Sequence, residues 1–546
     1  MQKSGIRDRV VRFWVAHPAV LDIVVLALLA LAIRVLFFQE YRLEGTDCDG
    51  AGYMGLARHI RAGEGWLSDY YRILFLPLPP LPGPNACWSP LYPLLTAISY
   101  LVAGSTFTAA KLVPLVFGVL IPPAGYLLGL GLSGRRLPGL LAGLLALIHP
   151  VLVTMSLRIE TESLTIFMVT VILGCLLLWP RRGWLLGLLL GVAFLAKYQS
   201  MWLWPTVALG IFLSLTARQA WRSLAVAGVV FLLVCSPWMV RNYRVFGDPT
   251  YTDLKHLALL CYPEFGGVHQ FLASPTAPPS LVAYARAHPM NIIKFVRYSA
   301  PALIRQAFKD DRGSLLLAPL ALLGMWCLGR RWRRWLPILL YAGLLSVFIS
   351  MTIPNPRYLT NLVPIWLVLA GAGADWLGIR FRTPGRAGVL VGLLVAVLVA
   401  GSVVEEGVAT VRAATDRAGE WCPSANYCCM ELLSCRPWVL RHTAPTDRVF
   451  SCEVYHGAYL LERPAIAVPY DETQLARLRA RTGARVLAIS LRDLRKRLPA
   501  WEQRPPAWAE LVDRIPADSI RLEFPRGARN PVLSEMRIYR LSGVSL

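Results

Sequence analysis

Acidic and basic side chains recur along this chain where long apolar runs give way to polar sequence: Asp47 and Asp49, Lys111, Arg158, Glu160 and Glu162, Lys197, Arg241, and Arg357 followed by Tyr358. A carboxylate within hydrogen-bond reach of an acceptor group can take its proton as general base. Fixed cations in a water-poor site stabilise a developing anion, and arginine adds a planar fork suited to phosphate oxygens. Charged groups at or near membrane depth are costly unless paired, solvated or put to use. Gathered on one face, these residues would form a site.

Whether they share a face depends on the elements that carry them. The 546 residues are 55% hydrophobic with a mean hydropathy of +0.49, more apolar than soluble domains. Long apolar runs recur through the first four hundred residues, and about 20 such residues cross a bilayer core as a helix. The net charge of +23 is carried by short arginine clusters between those runs, not by one continuous basic face. That pattern fits membrane topology and argues against a nucleic-acid partner.

Lys3, Arg7, Arg9 and Arg12 precede an apolar stretch, Ala19 to Phe38, that is too long for a signal peptide and has no small-residue cleavage site. It reads as a first span entering from the cytoplasm. Later clusters are Arg135 and Arg136, Arg181 and Arg182, Arg218 and Arg222, Arg330 to Arg334, and Arg380, Arg382 and Arg386. Placing all of them in the cytoplasm requires spans near 19–39, 108–132, 138–157, 163–179, 184–197, 201–216, 223–240, 313–329, 335–352, 359–378 and 387–404. The apolar stretch Pro90 to Gly104 is then an interfacial helix, since another crossing there would move Arg135 and Arg136 outside. The expected architecture is an all-α polytopic membrane domain of about 11 transmembrane helices plus interfacial helices, with a small external C-terminal α/β domain. The membrane domain is 1–404, with a first external loop at 40–107 and a long one at 242–312; the external domain is 405–546.

Strand-like runs at Arg448 to Cys452, Ala465 to Pro469, Val486 to Ser490 and Met536 to Leu541, with a helix-like Glu472 to Thr482, carry the α/β expectation. Cys422, Cys428, Cys429, Cys435 and Cys452 fall close together in this tail, and Cys48 and Cys87 in the first loop; disulfides are expected in an external compartment. Zinc is the rival reading, but no paired Cys-x-x-Cys units support it. On this topology the residues of the opening paragraph sit at external span ends.

Each also has a simpler role. Asp49 would take the N-cap of a helix whose apolar face holds Tyr53, Leu56 and Ile60. The basic residues would snorkel at span ends, Tyr358 would join an aromatic belt, and Glu160 would pair with Arg158. Arg34, inside the first span, needs a partner, a water-filled cavity, or a place near the external edge. The stretch 242–312 is long enough for a substrate-covering loop; His256 and His269 within it lack metal-ligand spacing.

Several motifs resemble the glycosyltransferase C superfamily, particularly bacterial relatives of protein O-mannosyltransferases and aminoarabinose transferases. They are Asp49-Gly-Ala-Gly-Tyr53 with Ala57 and Gly63-Glu-Gly65; Trp88-Ser-Pro-Leu-Tyr-Pro93; Arg158-Ile-Glu-Thr-Glu-Ser-Leu164; Ser236-Pro-Trp-Met-Val-Arg-Asn-Tyr-Arg-Val-Phe-Gly247; and Pro356-Arg-Tyr358 with Pro364. Each is weak alone; their order and common sidedness are stronger. The resemblance covers roughly residues 20 to 380, and the tail is similar only in being an external α/β domain. Many relatives carry Asp-Glu where this chain has Asp49-Gly50, so either Asp47 takes the second acidic place or no pair is required.

The resemblance implies inverting transfer of a sugar from a polyprenyl-phosphate donor to a lipid, glycan or protein acceptor, in a multi-pass protein surrounded by membrane lipids. Asp49, with Asp47 beside it, is then the candidate base. Lys197, Arg241 and Arg357, with Lys111 and Tyr358, are candidates for substrate binding. Glu162 would bind the sugar, orient Asp49, or hold a divalent metal ion with it; the sequence leaves these three open. High arginine usage favours a bacterial inner membrane with the N-terminus cytoplasmic. A transporter or flippase of a lipid-linked or anionic substrate would use the same cations for binding, though such folds place their sites near the bilayer centre.

Overall fold

The computed structural model describes residues 18–40, 48–76, 80–309, 317–329, 331–380, 423–517 and 534–542, with isolated positions between 397 and 404. Asp47, the basic N-terminal cluster, Arg330, Arg382, Arg386, most of the expected span 387–404, and the side chains of Cys48, Cys422, Cys428, Cys429 and His269 lie outside the described residues.

The N-terminal part is helical: α1 (Pro18–Glu40), α2 (Cys48–Arg61), α3 (Leu91–Ala103), α4 (Phe107–Ser133), α5 (Arg136–Ile148), α6 (Pro150–Met155), α7 (Glu162–Leu178), α8 (Gly183–Ala196), α9 (Leu203–Ser214) and α10 (Ala217–Phe246). The loop after α10 folds into short helices, α11 (Val268–Ala273) and α12 (Leu281–Ala287), and a long one, α13 (Pro289–Lys309). Then come α14 (Ala318–Gly329), α15 (Trp332–Met351) and, after a 3₁₀ segment Pro356–Leu362, α16 (Val363–Arg380). Among the described residues five helical stretches are long and apolar enough to cross a membrane: 18–38, 107–133, 217–246, 332–351 and 356–380. Leu91–Ala103, Arg136–Ile148, Glu162–Leu178, Gly183–Ala196 and Ala318–Leu328 are shorter apolar helices. The chain is an integral membrane protein.

Two features of the helices follow from local chemistry. Pro150 lacks the N–H that the Ala146 carbonyl would receive, so the helix over 136–155 breaks at His149. Arg34, fully buried, fills that gap by donating to the carbonyls of Leu147 (2.9 Å) and Ala146 (3.3 Å). It therefore caps a broken helix and does not snorkel. α14 and α16 approach at glycine: a Cβ on Gly373 would lie 2.0 Å from the Leu320 carbonyl oxygen, and one on Gly324 2.0 Å from that of Leu369. Small residues permit such close backbone packing where lipid supplies no hydrophobic drive.

Charges segregate to opposite ends of the bundle. At one end Arg136 donates two 2.6 Å bonds to Asp22, Arg135 pairs with Asp375, and Arg331 and Arg334 reach the Ser133 and Gly131 carbonyls at the end of α4. The other end carries the groups considered below.

The C-terminal residues contain α17 (Pro423–His442), α18 (Val454–Leu461), α19 (Glu472–Thr482) and α20 (Leu491–Arg497). They pack on a six-stranded sheet ordered β2-β5-β4-β6-β8-β7. Here β4 is Val449–Ser451, β5 Ala465–Ala467, β6 Val486–Ser490, β7 Ala509–Ile515 and β8 Met536–Leu541; β1 (Leu67–Ser68) and β3 (Gly83–Pro84) form a separate ribbon. The edge strand β2 is Tyr70–Tyr71 of the first loop, parallel to β5 in the register Tyr70 to Ala465. Sequence reading placed this loop with the helices alone; two residues are too few to show a strand's alternation. Cys87, Cys435 and Cys452 are free thiols, contrary to the disulfide expectation for these three. Cys87 and Cys435 are buried and Cys452 is half-buried, and desolvation pushes all three thiols above their ordinary range.

Gly373→Val should overpack the α14–α16 contact and cost about 1–3 kcal/mol, read as a lower thermal unfolding midpoint in detergent. Gly378→Val, on the same helix where an added Cβ meets nothing, should change it little.

Candidate active site

α2 begins at Cys48, so Asp49 lies in its first turn and not at the N-cap. Its apolar face packs Tyr53 on Trp88 (4.7 Å between ring centroids) and on Tyr92 of α3 (4.8 Å). Gly52 permits this approach, since a Cβ there would come within 2.9 Å of the Trp88 ring nitrogen. The short turn between α6 and α7 carries Arg158 and Glu160, and α7 opens with Glu162. Lys197 follows α8, and Arg357 is the second residue of the 3₁₀ segment, where the Asn355 side chain accepts from its backbone N–H (3.0 Å).

These segments converge on one guanidinium. Arg357 donates from Nη2 to Asp49 Oδ2 (2.7 Å), from Nε to Glu162 Oε1 (2.7 Å) and from Nη1 to Glu160 Oε1 (3.3 Å). Lys197 Nζ donates to the same Glu162 oxygen (2.9 Å), and Arg158 pairs with Glu160 (2.7 Å). Lys197 also stands over the Tyr358 ring, 4.6 Å from its centroid. Asp49, Glu160 and Glu162 are thus balanced by Arg158, Lys197 and Arg357, as ions out of water require. Exposure is unequal: the side chains of Glu160 and Glu162 are 1% and 2% accessible, that of Asp49 22%. Burial and the neighbouring carboxylates push the Tyr53 hydroxyl well above its ordinary range, which keeps it protonated.

Arg241 stands apart. Its guanidinium donates to the carbonyls of Asn85 (2.8 Å) and Trp66 (3.4 Å) and to Asn242 Oδ1 (2.9 Å), near the rings of Trp238 (4.8 Å) and Phe246 (5.1 Å). These acceptors are neutral, so they position the charge without cancelling it. Lys111 is buried one turn into α4, the helix that packs against α7. Glu160 was read from sequence as a simple partner of Arg158; it makes that pair and also reaches Arg357. The two-residue spacing of 158, 160 and 162 gave a signal for a cluster but not for its centre.

A divalent ion does not fit this arrangement. The Arg357 guanidinium fills the point where the three carboxylates meet. Among the described residues no group of three or more His, Cys, Asp or Glu side chains could hold a metal ion.

The description dolichyl-phosphate-mannose-protein mannosyltransferase belongs to the family model that matches residues 85–240. Among solved structures, the chain is similar to ArnT from Cupriavidus metallidurans in the apo state, at 14% identity and a TM-score of 0.57, over 96% of this chain and 99% of that one. The likeness shows a shared fold. ArnT bound to undecaprenyl phosphate aligns over the same shares at 14% identity, with a TM-score of 0.52. The oligosaccharyltransferase AglB from Archaeoglobus fulgidus, in complex with an inhibitory peptide and a dolichol-phosphate, aligns at 12% identity and a TM-score of 0.59, over 87% of this chain and 70% of that one. No curated protein sequence matches.

Arg357→Met should leave buried Glu160 and Glu162 short of a counter-charge and cost roughly 3–5 kcal/mol. Thermal unfolding of the purified protein measures this. The double substitution Arg357→Met with Glu162→Gln should recover part of the loss, and an unchanged midpoint in the single variant would show that the cluster does not need its guanidinium.

Proposed function

We propose that the protein transfers a sugar from a polyprenyl-phosphate carrier to a lipid, glycan or protein acceptor, with inversion at the anomeric carbon, at the outer face of a bacterial inner membrane. Asp49 is the general base: it takes the proton of the acceptor group as that group attacks the anomeric carbon. The bond from that carbon to the phosphate oxygen breaks, and the polyprenyl phosphate leaves with the electron pair. Arg241 is the cation for the departing phosphate, because its partners are uncharged carbonyl and amide oxygens and its charge is left for a ligand. Lys197 and Arg357, balanced by the carboxylates of the cluster, hold Glu162 and Asp49 in place for substrate, Tyr358 steadies the Lys197 ammonium, and Lys111 is a further substrate-binding cation.

The observation that carries this reading is the unequal burial of the three carboxylates. Glu160 and Glu162 are enclosed and hold cations, whereas Asp49 keeps an accessible edge where an acceptor could reach it. Arg357 orients that carboxylate through a charge-assisted bond. The solved ArnT with undecaprenyl phosphate and AglB with dolichol-phosphate support a lipid-phosphate donor for this fold.

Residues 1–404 are on this reading a membrane domain of eleven spans and 405–546 an external domain. The end holding Arg135 and Arg136 then faces the cytoplasm and the end holding Asp49 the outside.

With labelled polyprenyl-phosphate sugars and purified protein, Asp49→Asn should lower turnover by about 10²–10⁴-fold while leaving the unfolding midpoint near wild type. Intact turnover in that variant would remove Asp49 from the role of base. Sugar translocation in sealed vesicles without donor cleavage would favour a transporter. Sidedness is tested separately: single cysteines replacing exposed Glu64 or Arg485 should react with an impermeant maleimide in intact cells, and one replacing Arg136 only after permeabilisation.

A further inference from the structure

Beside the charged cluster lies a cavity of about 290 Å³. Three distant parts of the chain wall it: the first loop (Tyr70, Arg72 and Cys87 among others), the start of the long loop (Tyr251 and Asp253) and Tyr455 of α18. None of Asp49, Glu160, Glu162, Lys197 and Arg357 lines it. Residues 85–88 are the partition. Asn85 to Cys87 face the cavity, and Trp88 packs on Tyr53, one helical turn from Asp49.

The lining is mixed in a particular way. Tyrosines and aliphatic side chains make up most of the wall, so apolar ring and methylene surface dominates. Into this project one acid and one base. Arg72 donates to the Tyr455 hydroxyl (2.8 Å) and lies 4.9 Å from the centre of its ring. Asp253 is fixed by its backbone N–H, which donates to the Ala86 carbonyl (3.1 Å), and burial pushes its carboxyl up to about 6. The volume falls just under the ~300–1,000 Å³ of pockets for drug-sized ligands. A phosphate would meet the Asp253 carboxylate, and a lipid chain would strip water from Asp253 and Arg72 without replacing its hydrogen bonds. A pyranose has both kinds of surface: C–H faces for the aromatic wall, and hydroxyls that donate to a carboxylate and accept from a guanidinium.

We propose that this cavity binds one neutral saccharide ring, with Asp253 and Arg72 holding its hydroxyls and Tyr455 making the C-terminal part of the chain a determinant of which ring is accepted. On the transferase reading above, the ring belongs either to the donor or to a glycan or glycolipid acceptor. Binding itself requires no turnover.

The test uses full-length protein in nanodiscs and saturation-transfer NMR with methyl α-D-mannopyranoside, methyl β-D-glucopyranoside and methyl N-acetyl-β-D-glucosaminide as probes. At least one should show ring-proton transfer above empty nanodiscs. Asp253→Asn and Tyr455→Ala should each weaken it about tenfold, the loss of roughly one hydrogen bond to a charged group or of an aromatic contact. Tyr455→Phe, which keeps the ring and removes only the hydroxyl bonded to Arg72, guards against misfolding as the cause.

Binding should also weaken as pH falls through about 6, because the ionised Asp253 carboxylate is a stronger acceptor of hydroxyl hydrogens than the protonated acid. Tyr251 and Lys255 flank it on its own segment, with His256 beyond, pushed below its ordinary range by burial. The first loop contributes Arg72, Tyr70 and Cys87, and α18 contributes Tyr455. Burial keeps Tyr70, Cys87 and Tyr455 protonated. Asp253→Asn should therefore flatten the profile; a profile unchanged by that substitution would assign it to His256 and overturn the role given to Asp253.

Displacement of the probe by a short-chain polyprenyl-phosphate mannose, but not by the polyprenyl phosphate alone, would place the donor's sugar in the cavity. Simultaneous binding of that donor and the probe would place the acceptor's there. No transfer from any probe, or transfer indifferent to both variants, would overturn the proposal even if Asp49-dependent turnover persisted. Saccharide binding that survives in a protein without transferase activity would sink the transferase reading and leave the cavity's assignment standing.

Discussion

The Arg357 guanidinium draws on three carboxylates at once, those of Asp49, Glu160 and Glu162. The three belong to different places, the first turn of α2, the turn after α6 and the first residue of α7, while Lys197 arrives from the end of α8. Removing ions from water costs several kcal/mol each unless the geometry returns it. The segments are therefore joined by a constraint that no apolar packing could impose, because apolar contacts have no preferred stoichiometry. Charge balance within the cluster then sets which carboxylate stays accessible. Two carboxylates are committed to holding cations, and the third keeps an accessible edge.

The opposite end of the bundle follows the same rule with a different outcome. Asp22 and Asp375 neutralise Arg136 and Arg135, and Arg331 and Arg334 are spent on helix-end carbonyls. Those carbonyls lack intrahelical donors and carry the negative end of the helix dipole, so arginine is a suitable partner. The result is a fastener with no exposed acid. The molecule thus uses acid–base pairs at both ends, to lock helices at one and to present a carboxylate at the other. The difference lies in whether one partner retains access to solvent.

Much of the convergence was legible because a charge at the end of an apolar run is expensive enough to be informative. Asp49, Glu162, Lys197 and Arg357 each stood out on that ground, and the structure brings them together. Their pairing was not legible. Which carboxylate faces which cation depends on helix rotation, and a one-residue change of register would give Arg357 other neighbours. Arg241 shows the limit from the other side, since its partners are backbone carbonyls, which every residue supplies. In the C-terminal part, Val486 to Ser490, Met536 to Leu541 and Glu472 to Thr482 form the elements their patterns predicted. The helix over 423–442 and the strand over 509–515 were missed: the first carries an internal proline, and the second exposes much of its length.

The strand Tyr70–Tyr71 bears most directly on how the parts cooperate. It pairs with β5, while the Asp69 carbonyl accepts from the Ala465 N–H (2.7 Å), so the first loop is stitched into the C-terminal sheet by backbone bonds. On the helix that carries Asp49, Arg58 stacks over the Tyr459 ring (3.6 Å) and donates to the Tyr459 carbonyl (3.1 Å). The helix that carries Asp49 and the loop that follows it are thus each tied to the C-terminal part, by side chain in one case and by main chain in the other. A rigid-body shift of that part would pull on both ties, and through α2 on the Asp49–Arg357 bond. The C-terminal sheet therefore helps to set the position of the one accessible carboxylate as well as supplying Tyr455 to the cavity beside it.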